Sequence, residues 1–255
     1  MQPITVVKIG GNVIDNEAAL ERFLKRFASI EGPKMLIHGG GKLATRMATE
    51  LKLEVKMIDG RRITDRPTLD VVTMVYAGLV NKQIVAKLQA AGCNAIGLSG
   101  ADGNIVHAHR RPAKPIDYGF VGDVKEVNSQ ALATLIRAGV VPVIAPLTHD
   151  GKGSMLNTNA DTMAGETAKG LANDFDIQLV YCFEKAGVLS NPDNDTSVIA
   201  KIIPEIYTKL KADGIISGGM IPKIDNAFAA IEHGVQSVRI THSNQIQGGT
   251  IIEQA

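Results

Sequence analysis

Short unbroken apolar runs alternate along this chain with longer stretches in which apolar residues recur every three or four positions. Ile4 to Ile9, Lys34 to Ile37, Ala95 to Leu98, Val140 to Ile144, Ile177 to Phe183 and Ser237 to Thr241 have the length and apolar, largely β-branched content of buried strands. The amphipathic stretches predict helices from the first glycine turn through about Ala28, then over Leu43 to Leu51, Ser129 to Ala138 and Pro204 to Ala212. A long helix is expected over Arg66 to Ala91, with Thr64 or Asp65 as its cap, Pro67 in its first turn and Gly92 at its end. Its predicted buried face is Leu69, Val72, Tyr76, Leu79 and Leu88. Asn159 or Asp161 caps a further helix running to about Ala172, and Gly218-Gly219 opens one that ends near Gly234. Between Leu98 and about Asn128, glycines, prolines and short alternating segments predict hairpins instead. Strand–loop–helix alternation predicts an α/β fold, a parallel sheet with helices on both faces. With no repeat, low-complexity tract or linker, one continuous sheet with two lobes is expected.

Composition narrows the function classes. Of 255 residues, 45% are hydrophobic and 21% charged, enough to bury a sizeable core. The 27 basic and 26 acidic residues nearly cancel and are interspersed, which excludes the basic stripe of a nucleic-acid binder. Cys93 and Cys182 stand far apart in apolar contexts and read as buried free thiols. No apolar run approaches the roughly 18 residues of a membrane span. The chain enters its first strand directly after Met1-Gln2-Pro3, without a signal peptide. A soluble cytoplasmic protein with no membrane partner is expected.

The candidate chemistry lies where strands end in glycines. Lys8-Ile9-Gly10-Gly11-Asn12, His38-Gly39-Gly40-Gly41 and Ser217-Gly218-Gly219-Met220-Ile221-Pro222-Lys223 each place glycine amides where an anion can approach, since no Cβ stands in the way. Two of them carry a lysine that can neutralise phosphate, and no Walker sequence is present, so the pattern suggests phosphoryl transfer outside the P-loop class. A competing reading is a dinucleotide fingerprint on Gly39, Gly41 and Ala44, with Asp59 standing 18 residues beyond Gly41 as the ribose acid. That reading explains neither Lys8 nor Lys223. Asn157-Thr158-Asn159-Ala160-Asp161 opens a helix, and capping explains one of these side chains better than three. Arg61-Arg62 at a strand end offers a carboxylate clamp, although adjacent surface arginines are usually solvated. His107-Ala108-His109 can turn two imidazoles to one face but has no third ligand, so no metal site is assigned.

Together these segments resemble the amino-acid kinase family, and within it the kinases of N-acylglutamates. The resemblance also rests on Asp59-Gly60-Arg61-Arg62-Ile63-Thr64-Asp65, Ala77-Gly78-Leu79-Val80-Asn81-Lys82, Gly97 to Gly103 and Gly119-Phe120-Val121-Gly122, and it covers essentially the whole chain. It implies an open αβα sandwich with a mainly parallel central sheet, a single domain over 1–255. An N-terminal lobe, about 1–155, would bind the acylated amino acid, and a C-terminal lobe, about 156–255, would bind ATP with Mg²⁺. Carried over by position, Lys8 and Lys223 stabilise the transferring phosphoryl group and Asp161 organises them. Gly10, Gly11, Gly40 and Gly41 turn amides to phosphates and substrate, and Arg62 and Asn157 hold the substrate's α-carboxylate end. Glu184, Lys185, Ala186, Gly187, Val188 and Leu189 meet the nucleotide, as do Ile215, Ile216, Ser217, Gly218 and Gly219.

The implied reaction is ATP-dependent phosphorylation of the γ-carboxylate of an N-acylglutamate, in arginine biosynthesis. The nucleophile is ionised at neutral pH and needs no base. Two departures from the family pattern stand out. The nucleotide strand ends Tyr181-Cys182-Phe183-Glu184-Lys185, with Glu184 where the family has Asp, and Arg61 replaces an apolar residue. A guanidinium there would suit a second carboxylate, hence N-succinylglutamate beside N-acetylglutamate; an outward, solvated Arg61 is the plainer reading. A homodimer is expected, with the Arg66 to Ala91 helix as its two-fold contact, since one element can make a self-complementary patch. With only Met1-Gln2-Pro3 before the first strand, a hexamer and arginine feedback are not expected. A carbamate or glutamate kinase, a nicotinamide-dependent oxidoreductase and a catalytically dead amino-acid sensor are the alternatives.

Overall fold

Val6, Val7 and Ile9 are wholly buried because their strand lies in the middle of a sheet covered on both faces. The computed structural model describes every residue except Asp59, Gly219 and Ala255. Its strands are β1 (Gln2–Ile9), β2 (Lys34–His38), β3 (Met57–Ile58), β4 (Arg61–Arg62), β5 (Ala95–Leu98), β6 (Val106–Arg110) and β7 (Gly122–Val127). They continue with β8 (Val141–Ile144), β9 (Leu147–His149), β10 (Met155–Asn157), β11 (Phe175–Phe183), β12 (Lys201–Ile202), β13 (Ser237–His242) and β14 (Thr250–Ile252). The main sheet runs β12-β14-β13-β11-β1-β2-β8-β5, parallel except where β13 meets β14. Ile4 and Val6 belong to one apolar cluster and Val7 and Ile9 to another, so alternate residues of β1 feed the two faces of the sandwich.

The predicted elements are present, with four corrections. The sheet is not continuous: β10-β9-β6-β7 form a separate four-stranded sheet and β3-β4 a hairpin pairing Met57 with Arg62 and Ile58 with Arg61. Short polar strands with few apolar residues leave little periodic signal. The first helix is broken into α1 (Gly11–Ile14) and α2 (Glu17–Ala28), because the Asn16 side chain accepts the Ala19 amide at 2.9 Å and starts a new helix.

The long helix is α4 (Arg66–Val72), a π-helical stretch (Thr73–Val80) and α5 (Asn81–Ala90), capped by Asp65, which accepts the Thr68 amide. Its wider turn shifts the helical phase. Leu79, expected inside, is therefore 41% exposed, and Val80 and Ile84 take the buried positions after Tyr76. Finally, this 25-residue segment is long and apolar enough to cross a membrane by length and composition alone, contrary to the absence of such a run inferred above; 44% of its most apolar 18-residue window is buried.

The remaining helices used below are α3 (Gly41–Glu50), α6 (Ser129–Arg137), α7 (Ala160–Leu171), α8 (Pro204–Ala212) and α9 (Met220–Glu232). Strand β1 connects onward to β2 on one side and pairs with the late strand β11 on the other. This is the kind of switch point at which open α/β sheets leave a crevice beyond their strand ends.

Candidate active site

The carboxyl end of β1 brings Lys8 into that crevice. Its side chain is 9% exposed, and Nζ lies 2.6 Å from Oδ1 of Asp161, an ionic contact rather than an aligned hydrogen bond. Asp161 sits in the first turn of α7, where a carboxylate would usually be spent on capping. Here Asn159 does that work, its side chain accepting the amides of Asp161 and Thr162 at 2.8 and 3.1 Å. The Asp161 carboxylate is thereby left for the lysines.

Lys223 approaches from the first turn of α9. Its Nζ stands 3.7 Å from the Phe183 ring centroid, and the Lys8 ammonium stands 5.6 Å from the same centroid. Burial pushes the Lys223 ammonium below the usual lysine range; Asp161 opposes that shift and Lys8 adds to it. The two lysines and the carboxylate therefore face one another. Phe183 belongs to the segment that departs from the family pattern, and its ring supplies a cation–π surface within reach of both ammonium groups.

On one side of this cluster is a cavity of about 190 Å³ lined by Gly39, Gly40, Gly41, Arg61, Arg62, Tyr76, Arg111, Gly122 and Asn157 to Ala160. Arg62 is buried against it. Nη2 donates to the Gly41 carbonyl at 3.0 Å and to Thr45 Oγ1 at 2.8 Å, while Nη1 is buried without a partner. An unpartnered buried guanidinium nitrogen is costly, and an incoming carboxylate would satisfy it. Asn157 Nδ2 donates to Thr64 Oγ1 at 3.0 Å, and that hydroxyl donates to the Arg62 carbonyl, which ties the two candidate substrate residues together. Gly40 has φ +144°, and a Cβ there would lie 3.1 Å from the Tyr76 ring, so only glycine fits. Arg61 is exposed and lines both this cavity and an adjoining one of about 400 Å³ that also borders Asp161 and Lys223.

On the other side is a larger cavity, about 680 Å³, lined among others by Gly10, Gly11, Asn12, Arg22, Gly41, Lys42, Glu184, Lys185, Gly187 and Lys223. Gly41 borders both cavities. The structure thus gathers Lys8, Asp161, Lys223, Gly10, Gly11, Gly40, Gly41, Arg61, Arg62, Asn157, Glu184, Lys185 and Gly187 around one crevice. It does not bring Val188, Leu189 and Ile216 to the cavity wall: these apolar side chains are buried in the interior. Ala186, Ile215, Ser217 and Gly218 do not line it either, and Gly219 and Asp59 lie outside the described residues.

Tyr76, Arg111, Lys42 and Arg22 were not anticipated. Lys42 directly follows the glycine run and was open to reading. Arg111 reaches the cavity from after β6 and is held there by a bidentate pair with Asp123, which the sequence spacing does not reveal.

A model of the amino acid kinase family matches residues 3–242. An acetylglutamate kinase of Phocaeicola vulgatus is 59% identical over 255 residues, covering 99% of each chain. The solved structure of smu.665 from Streptococcus mutans is 29% identical with a TM-score of 0.79, covering 98% of both chains. Carbamate kinase from Giardia lamblia, solved with AMP-PNP bound, is 14% identical with a TM-score of 0.72 over 100% of this chain and 99% of that one, a likeness of fold alone.

Proposed function

The chain belongs to the amino acid kinase family, and on that footing we propose that it transfers the γ-phosphoryl group of ATP to the γ-carboxylate of N-acetylglutamate, as a step of arginine biosynthesis. The observation that carries the proposal is the meeting of two cavities at Gly41, beside a paired Lys8–Asp161 and a second lysine. The smaller cavity, with Arg62 and Asn157, receives the acylglutamate, and the larger receives the triphosphate. The expected lobes, about 1–155 and 156–255, are part of the same proposal, as is a cytoplasmic setting, where ATP is at hand.

A carboxylate oxygen attacks the γ-phosphorus, the bond from that phosphorus to the β,γ-bridging oxygen breaks, and ADP leaves with the electron pair. No proton moves, so no base is required. Catalysis is then a matter of position and charge. Lys8 and Lys223 neutralise the equatorial oxygens, Asp161 keeps two like charges in one place, and the Gly10, Gly11, Gly40 and Gly41 amides add donors already in position. Among the described residues no cluster of three metal-ligating side chains occurs. That fits a Mg²⁺ ion held mainly by phosphate oxygens and water, with Glu184 as the acidic side chain among those lining the larger cavity. Bound so, Mg²⁺ would supply charge neutralisation on the triphosphate.

A coupled ADP-release assay with glutamate, N-acetylglutamate and N-succinylglutamate tests the reaction. Turnover on an acylglutamate and little on free glutamate is expected; NADH-linked turnover without ATP dependence would overturn the reading. The same assay reads the acyl group. Arg61 at the cavity mouth can pair with a second carboxylate, worth about 1.5–3 kcal/mol if well formed, or roughly ten- to a hundred-fold in kcat/KM. A preference for N-acetylglutamate rejects that pairing. If N-succinylglutamate is preferred, Arg61→Leu reverses the order.

A homodimer through the 66–90 helix completes the proposal. Met74, 58% exposed, and Leu79, 41% exposed, leave an apolar face on one element, which a two-fold axis can make self-complementary. Light scattering should give twice the chain mass, falling to one chain in Met74→Glu/Leu79→Glu; a dimer that survives both changes would place the contact elsewhere.

A further inference from the structure

Three polar side chains behind the glycine loop, two buried and one exposed, take no part in the chemistry described above. His38, at the end of β2, and Asn81, at the start of α5, are both wholly buried. The imidazole Nδ1 stands 2.8 Å from the Gly39 carbonyl oxygen. An oxygen of that kind only accepts, so Nδ1 carries the hydrogen and Nε2 is left to accept. Asn81 Nδ2 meets it at 3.1 Å and also donates to the Val143 carbonyl at 2.9 Å. The orientation of that amide is set from its other end, where Lys82 Nζ donates to Asn81 Oδ1 at 3.2 Å and to the Gly97 carbonyl at 2.8 Å. Any Cβ at position 97 would fall 1.9 Å from Asn81 Oδ1, so the glycine on β5 is what makes room for the amide.

We propose that His38 and Asn81 are positioning residues for phosphoryl transfer: Asn81 fixes the imidazole, His38 holds the Gly39 carbonyl, and the Gly40 and Gly41 amides are thereby turned to the reacting groups. This rests on the kinase reading and goes beyond it. Every carbonyl of the loop is engaged away from the amides: Gly39 by His38, Gly40 by the Ala44 amide at 3.0 Å, and Gly41 by Arg62 at 3.0 Å. The Gly39 amide is held by the Ile9 carbonyl at 3.0 Å. Among the described residues no protein acceptor stands against the Gly40 or Gly41 amide. These are the donors that border the cavities. Burial lowers the imidazole pKa to about 4, with Lys82 acting in the same direction and the Gly39 bond against both, so the ring stays neutral and keeps one donor and one acceptor at working pH. The Ala77 to Lys82 and Gly97 segments, which carry family resemblance but touch neither cavity, acquire a role in this way.

The test separates positioning from packing by two replacements of the same residue. In His38→Asn the amide nitrogen takes the place of Nδ1 and can still donate to Gly39, although the side chain is smaller. In His38→Gln the amide takes the place of Nε2, which fills the site better but abandons Gly39. Packing alone ranks Gln above Asn, since the smaller residue leaves the larger void. Positioning ranks Asn above Gln. We expect kcat of His38→Asn within a few-fold of wild type and that of His38→Gln and Asn81→Leu lower by about 10²-fold, the cost of a displaced reacting group. Hydrogen exchange of the peptide spanning 38–46 should follow the same order. Gln equal to or better than Asn in both readouts overturns the proposal.

If the His38 variants do not fold, Lys82→Met decides, because Lys82 is exposed and its loss frees the Asn81 amide to turn. A lower kcat at unchanged Tm supports positioning, and wild-type kcat and exchange overturn it. A wild-type protein with no kinase turnover defeats the kinase reading instead, and the exchange order alone then judges the loop.

Discussion

Lys8→Ala and Lys223→Ala are each expected to lower kcat by about 10²–10³-fold, equivalent to about 2.7–4 kcal/mol of transition-state stabilisation, while leaving Tm close to wild type. The size follows from the chemistry. An anionic nucleophile meets a polyanionic donor, so removing one preorganised positive charge raises the barrier directly. The small stability effect follows from exposure. Asp161 keeps 43% of its side chain open to solvent, so although its Oδ1 is buried, the carboxylate stays hydrated from its other side when Lys8 is lost. Lys223 lies against the face of Phe183, and its removal restores a ring to water without opening the core. Steady-state kinetics with saturating MgATP and acylglutamate, alongside thermal unfolding, checks both statements. A kcat near wild type in either variant removes that lysine from the reaction centre.

Arg62→Ala should act on a different constant. Its buried Nη1 has no partner in the protein, and a substrate carboxylate is the group that would complete it. Truncating one member of such a buried pair costs about 2–5 kcal/mol, so KM for the acylglutamate should rise by roughly 10²-fold or more. KM for MgATP should change little, because Arg62 lines the smaller cavity and not the larger. A secondary loss in kcat is expected, since Nη2 also holds the Gly41 carbonyl at 3.0 Å. Lysine should not restore function, because an ammonium cannot reproduce a fork that reaches Gly41, Thr45 and the substrate together. If the MgATP constant is the one that moves, the two cavities have been given to the wrong ligands.

The sequence pattern alone carried the strand-helix alternation, the glycine turns at strand ends, and the lysines beside two of them. Each is a local property. Apolar run length marks a buried strand whatever lies next to it, and a missing Cβ opens a turn to an anion whatever the anion is. The chain's own order therefore sufficed for an α/β fold with glycine loops at its strand ends.

The tertiary structure decided matters that depend on which groups are already satisfied. Asn159 and Asp161 are equally good caps as letters; only the geometry shows Asn159 taking the amides and leaving Asp161 for Lys8. Leu79 and Val80 are equally apolar, and a π-helical turn, invisible to a periodicity of 3.6, exposes the first and buries the second. Phe183 stands in a stretch that departs from the family pattern, and its ring lies within cation–π reach of two ammonium groups. His38 reads in the sequence only as the head of a glycine segment, yet its ring bonds both the Gly39 carbonyl and the Asn81 amide. Hydrogen bonds and ion pairs are competitions among neighbours, and the competitors here come from distant parts of the chain, so their outcome exists only once the sheet has brought them together.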